Sequence, residues 1–175
     1  MPEQLEIAQL GNPVLRKRTE GIPVPLRSPH LHLMDNMLFT LKNVNGVGLA
    51  APQVYVSDKL LIIAPAPNDR YPDAPNMDSI IMINPHLKWL SPETEDGWEG
   101  CLSIPGLRGI VQRALSVEVS YTDTSGKSNN IRLSGFPARV FQHEYDHLQG
   151  MLFIDRVKST EYLATEKEYI RIVQS

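Results

Sequence analysis

The sequence predicts an α+β fold, with antiparallel sheets packed around a central helix that carries a His-Glu-x-x-His (HExxH) pattern. Three observations predict it. Short β-rich runs recur along the chain at Lys59 to Ile63 and Ile80 to Ile83. An alternating segment at 115–123 returns through a turn at 129–134, which is the pattern of a hairpin. Residues 137 to about 149 carry helix start and stop signals around the HExxH residues.

Each element has a local reason. Ser28-Pro29 reads as a helix start, with Ser28 as N-cap and Pro29 at the first helical position. Met34, Met37, Leu38, Leu41 and Val44 then recur at helical spacing, and Gly46 can close the end, so a core-facing helix is expected from about 29 to 44. The stretch from Ala66 to Asp78 is rich in Pro, Asp and Asn and reads as an exposed loop. Leu115, Val117, Val119 and Tyr121 alternate with polar residues, and Thr124 to Lys127 form the turn. Pro137 opens the second helix and Gly150 stops it. A short tail helix is expected near 159–168.

A length of 175 residues points to a single domain spanning 1–175. Apolar residues make up 42%, which excludes a disordered chain. The net charge of −3 and the isolated Arg16-Lys17-Arg18 triplet do not describe a nucleic-acid surface. The apolar runs are too short to span a bilayer. Cys101 is the sole cysteine, so no intrachain disulfide forms. With no secretory signal pattern at the N-terminus, a cytoplasmic protein is expected, an organelle after removal of a targeting segment being the alternative.

His143 and His147 are four apart, on one face of the second helix, and both imidazoles can reach one cation. Glu144 can touch a water held beside that ion without binding the ion itself. A catalytic zinc-type site takes three protein ligands, so a third is needed. In a metzincin-like pattern it would fall at Phe153, which cannot bind metal. Glu161, Glu166 and Glu168 offer carboxylates downstream. Cys101 offers a thiolate, a strong ligand for zinc-like and ferrous ions, within a bent Gly100-Cys101…Pro105-Gly106 backbone. Gln53 follows a run of small residues and carries an uncharged amide donor suited to a developing oxyanion. His30 and His32 read as solvent-facing and His86 as a strand-end residue. The helical angle of Asp146 turns it away from the histidine pair.

Three segments together resemble the peptide deformylase family: GVGLAAPQ at 46–53, EGCLS at 99–103 and QHEYDH at 142–147, in the family's order, with the likeness running from about Ile7 to Val157. The resemblance implies that Cys101, His143 and His147 bind the metal and that Glu144 is general base and then acid. It implies that Gln53 and the Leu102 backbone amide hold the oxyanion, and that Gly46, Val47, Gly48, Glu99, Gly100, Arg108 and Val140 bind or support substrate. Glu99 and Arg108 could alternatively be an ion pair between neighbouring loops. The metal implied is Fe2+ in the cell, with Zn2+, Ni2+ or Co2+ able to occupy the same site. The reaction implied removes the formyl group from N-terminal formylmethionine of newly made polypeptides and releases formate. Methionine would fill a pocket of Val47, Val140 and Phe136, with the peptide added as a strand beside 46–48. Nascent peptides and a transient ribosome contact are the implied partners, without nucleic acid or membrane. Arg139 stands where the commonest bacterial version has an apolar residue, either bordering the methionine pocket or facing solvent. The same residues also fit two rivals: a metallopeptidase using a downstream glutamate, and a metal-dependent binding protein without turnover.

A thiolate-held ferrous centre oxidises readily. Activity under air should therefore decay faster in the iron-loaded protein than in the nickel- or cobalt-loaded protein, and equal half-lives would count against this ligand set.

Overall fold

The structure, a computed structural model, describes residues 1–175. Three α-helices are present: α1 (Ser28–Asn43), α2 (Phe136–Leu148) and α3 (Glu166–Gln174). Eight strands form two sheets: β1 (Gly48–Ala50), β2 (Leu60–Ile63), β3 (Ile80–Leu90), β4 (Thr94–Cys101), β5 (Ile104–Ala114), β6 (Ser116–Thr122), β7 (Ser128–Ser134) and β8 (Leu163–Thr165). One sheet has the order β1-β2-β3-β6-β7 and the other β4-β5-β8. Every strand pairing within them is antiparallel, which with the three helices makes an α+β fold.

The period-2 rule of strands explains how the larger sheet organises the core. In β2, Leu60 and Ile62 face a cluster with Met34, Met37 and Leu41 of α1. Leu61 and Ile63 face the opposite cluster with Ala138, Phe141 and Leu148 of α2. The sheet is covered on both faces, so β2 reads as an unbroken apolar run. Full burial of a side chain such as Phe141 contributes roughly 1.5–3 kcal/mol. A third cluster joins Cys101, Ile104 and Val111 of β4 and β5 to Leu152 and Phe153, which follow α2. Helix α2 thus packs on β1, β2 and β7 and also touches β5 of the smaller sheet.

Several expected boundaries shift for identifiable reasons. Arg27 is the N-cap of α1, and Ser28 is its first residue. Asn45, at φ 51°, takes the left-handed position after α1 that was expected of Gly46. The tail helix lies later than expected. A 3-10 turn and β8 occupy 160–165, and α3 starts where the Thr165 side chain accepts from Glu168 N–H. Leu163 to Thr165 instead pair with Leu107 to Gly109 of β5. His86 sits within β3, because Asn84 at φ 50° and an irregular register carry the strand past Pro85 to Leu90.

The turn that ends α2 fixes the N-terminal segment against it. Gly150 has φ +74°, and a Cβ there would lie 2.5 Å from the Arg16 carbonyl oxygen. Gly150→Ala should therefore lower stability by at least ~1–2 kcal/mol, the usual cost of a left-handed L-residue, because the steric conflict adds to it. Urea denaturation would show this, and an unchanged midpoint would contradict the close packing at Arg16.

Candidate active site

The site begins at the start of α2. Gly135 (φ +66°) turns the chain out of β7, and Pro137 sits in the first turn of the helix. About two and three turns from the helix start, His143 and His147 project from one face with ring centroids 5.2 Å apart. Cys101 ends β4, and the tight turn through Leu102 and Ser103 pairs it with Ile104 of β5. That turn brings its Sγ to 3.4 Å from Nε2 of His147. One donor atom each from Cys101, His143 and His147 lies within 4.8 Å of the others, and all three residues are more than nine-tenths buried.

This donor set fits a metal ion. Typical zinc distances to sulfur and imidazole nitrogen give a tetrahedral S···N edge of about 3.6 Å, close to the separation found. The Nδ1 of His143 is engaged by Glu99 Oε2 at 2.9 Å, which leaves Nε2 for the site. The Nδ1 of His147 is buried without a protein partner. The rival carboxylates are elsewhere: Glu166 pairs with Arg108, Glu168 pairs with Arg171, and Glu161 lies in the 160–162 turn. Phe153 stacks on the His143 ring at 6.1 Å as part of the core.

Glu99 is the anchor of this arrangement. Its two oxygens accept from Arg113 Nε and Nη2 at 2.8 and 3.0 Å. The Arg139 Nη1 bond adds a further contact at 3.1 Å, beside the His143 bond. Burial alone would raise the Glu99 pKa, but the bonds with His143 and Arg113 outweigh it and hold the carboxyl well below its usual range. Arg113 also donates to Asp146 Oδ2 at 2.6 Å, and Asp146 accepts from Arg156 as well. Arg113 therefore ties β5 to both β4 and α2, and it was not found from the sequence. It belongs to no motif, and its strand is rich in Gly and charge. Asp146 points away from the histidines as its helical angle requires.

Glu144 has the opposite environment. It is buried, and its Oε2 has no protein partner. Burial pushes its pKa up to about 7, with His143 opposing the shift. His147 is driven well below its ordinary range by burial and by the nearby His143 and Arg113 charges, which leaves the imidazole neutral. Gln53, in the 3-10 turn Ala51–Val54, accepts from Ala50 N–H at 2.9 Å. Its Nε2 donates to Ser103 Oγ at 3.2 Å and approaches Cys101 Sγ at 3.6 Å. The Leu102 N–H has no backbone acceptor.

A cleft of about 470 Å³ opens onto these groups. It brings together Gly46, Val47, Gly48, Gln53, Glu99, Gly100, Cys101, Leu102, Val140, His143 and Glu144, all expected from the sequence. Phe136 borders it too. Arg108 does not line the cleft. It lies behind Gly100, fully buried, and donates to both oxygens of Glu166 at 2.8 and 3.1 Å, so it does not pair with Glu99. Arg139 borders the cleft with its guanidinium fixed to Glu99 and to the carbonyls of Val111 and Glu95, so the solvent-facing alternative is excluded. Arg70 and Tyr71 also line the cleft. Their Pro/Asp/Asn-rich surroundings gave a loop signal and no hint of a site. Gly48 leaves Glu144 its place, since a Cβ there would sit 2.6 Å from a Glu144 oxygen and displace the carboxylate.

A concave cleft with a buried thiol, two buried imidazoles and an unpaired buried carboxylate on the same helix has the parts of a metallohydrolase. A family model described as polypeptide deformylase matches residues 4–162. The chain is 48% identical to peptide deformylase 2 of Nostoc sp. over 98% of its own length and 96% of the relative's. It is 44% identical to peptide deformylase 1 of Bordetella pertussis over 91% and 92%. A Met-Ala-Ser-bound crystal structure of a class I type b peptide deformylase from Acinetobacter baumannii superposes with a TM-score of 0.87 and 42% identity, covering 90% of this chain and 100% of that one. The chain belongs to the polypeptide deformylase family. Members are metal-dependent hydrolases that remove the N-terminal formyl group from nascent polypeptides.

The raised Glu144 pKa has a sign for stability. Below its unfolded value of 4.5 both states are protonated and nothing is lost. As pH rises from there to about 7, the unfolded state ionises first and stability falls; above that the cost is constant. In metal-free protein Glu144→Gln should therefore stabilise by on the order of 3 kcal/mol at pH 8 and by little at pH 4.5. Thermal melts at both pH values check this, and an equal effect at each would contradict it.

Proposed function

We propose that this chain is a single catalytic domain, with the helix carrying the HExxH residues as its central element, that hydrolyses N-formylmethionyl peptides to formate and a free amine. The observation that carries the reading is the unpaired, buried Glu144 carboxylate beside the Cys101, His143 and His147 donors in one cleft. Those three residues would hold the metal. When bound, such an ion lowers the pKa of water from about 15.7 towards ~7 and polarises a carbonyl.

The protein's own groups do the rest. Glu144, with a pKa near 7, can take a proton at neutral pH and return it to the departing amine. The Leu102 N–H and the Gln53 amide would face the oxygen that gains charge. Glu99 orients His143 and keeps a negative charge fixed behind it. Val47, Phe136 and Val140 would receive the methionine side chain, and the peptide backbone would run beside 46–48 as an added strand. The other residues assigned to substrate support, Gly46, Gly48, Glu99 and Gly100, border the same cleft. Arg108 supports it from behind Gly100. A formyl carbon bears only hydrogen, so a crowded, buried centre admits it and excludes acetyl.

Ferrous iron is the metal proposed for the cell, with zinc, nickel or cobalt able to replace it. Newly made chains are the proposed substrates in a cytoplasmic setting, with transient ribosome contact and neither nucleic acid nor membrane as direct partner. No helix is long and apolar enough to cross a membrane.

Formate release from formyl-Met-Ala-Ser is the test. Metal-loaded wild type should turn it over, and Glu144→Gln should lose roughly 10²–10⁴-fold in kcat, the usual range for a general acid–base group, while keeping its metal. Cys101→Ser should lose metal by elemental analysis. Metal-loaded wild type that releases no formate would defeat the reading.

A further inference from the structure

The cleft does not end at the reaction centre. It continues into a surface groove of about 620 Å³, whose walls include Leu102, Ile104, Pro105 and Leu107. Arg70, Cys101 and Leu102 border both spaces, so Arg70 stands where the cleft opens into the groove. The groove also carries Glu166.

The charges on this lip do not cancel. Glu166 accepts from Arg108 with both oxygens, and this pairing, felt together with Arg70, lowers its pKa. Arg70 takes part in no ion pair, and its guanidinium makes no hydrogen bond within the protein. Its cation only approaches the Tyr71 ring, at 5.7 Å. Arg108 thus occupies the groove's carboxylate, and the unmatched positive charge is that of Arg70, which is only half-buried.

An extended peptide reaches this point by simple geometry. Alternate side chains of a strand share a face and lie about 7 Å apart. With the substrate's first side chain in the cleft, its third points to the same side, into the groove. We propose that Arg70 is a specificity-determining residue for the third residue of the substrate, favouring a carboxylate there. The inference rests on the deformylase reading of the same site. The carboxylate proposed is that of an Asp or Glu side chain, and C-terminal amidation of the test peptides removes the competing terminal carboxylate.

Wild type and Arg70→Gln are compared on formyl-Met-Ala-Asp, formyl-Met-Ala-Asn and formyl-Met-Ala-Lys, each C-terminally amidated. Wild type should prefer Asp over Asn by about two- to five-fold in kcat/KM, the effect of one partly exposed ion pair, expressed in KM. Raising NaCl to about 1 M should erase it, since the screening length falls to about 3 Å. Arg70→Gln should remove the Asp-over-Asn preference, and Arg70→Glu should shift the preference to Lys. Equal rates on all three peptides, or a preference that survives Arg70→Gln, would overturn the assignment. Calorimetric affinities of Met-Ala-Asp-amide and Met-Ala-Asn-amide need no turnover. A charge preference in binding without formate release would sink the proposed function and keep this one. Formate release without any charge preference would sink this one alone.

Discussion

The ionised carboxylate of Glu99 is the constraint on which the site depends. A charge buried this deeply is tolerated only when it is paired and hydrogen-bonded on all sides. Here Arg113, Arg139 and His143 supply those bonds from β5 and α2. The bonds make Glu99 hold three things in place: the tautomer and angle of His143, the packing of α2 against the smaller sheet, and the end of β4 from which Cys101 projects. Removing one member of such a buried cluster leaves the others uncompensated, typically a cost of about 3–5 kcal/mol. Stability and chemistry therefore share one set of atoms.

Two carboxylates within the same cleft are driven in opposite directions by their neighbours. Glu99 is surrounded by donors and stays ionised. Glu144 is one residue from His143, but its outer oxygen meets no donor, and burial holds its proton to near neutrality. The same division recurs wherever one acid must remain a fixed charge while another moves a proton. Gly48 makes it workable here, because a side chain at that position would push the Glu144 carboxylate out of its place.

Local rules account for what was legible. The i, i+4 spacing of His143 and His147 needs only a helix, and Gly135, Pro137 and Gly150 delimit one. The hairpin at β6 and β7 and the apolar run of β2 follow from periods that a few residues reveal. By contrast, β4 and β5 escape notice. Gly97, Gly100, Gly106 and Gly109 interrupt them, and Glu99, Arg108 and Arg113 look like surface charge until they are seen to neutralise partners inside the protein. The tail is similar: β8 forms because β5 offers an edge, which no local signal in Leu163 to Thr165 announces.

By itself, then, the sequence determined the helical histidine pair, the small-residue approach to Gln53, and a short list of third donors in which Cys101 stood beside three glutamates. The tertiary structure brings Cys101, and none of the glutamates, beside both imidazoles, because the distance from a sulfur on a strand end to an imidazole on a helix depends on how two sheets pack. It also decided that Arg113 is a buried tie, that Arg108 serves Glu166, and that Arg70 faces the cleft. Charges acquire meaning only from partners distant in sequence, since pairing energy depends on separation and burial in space.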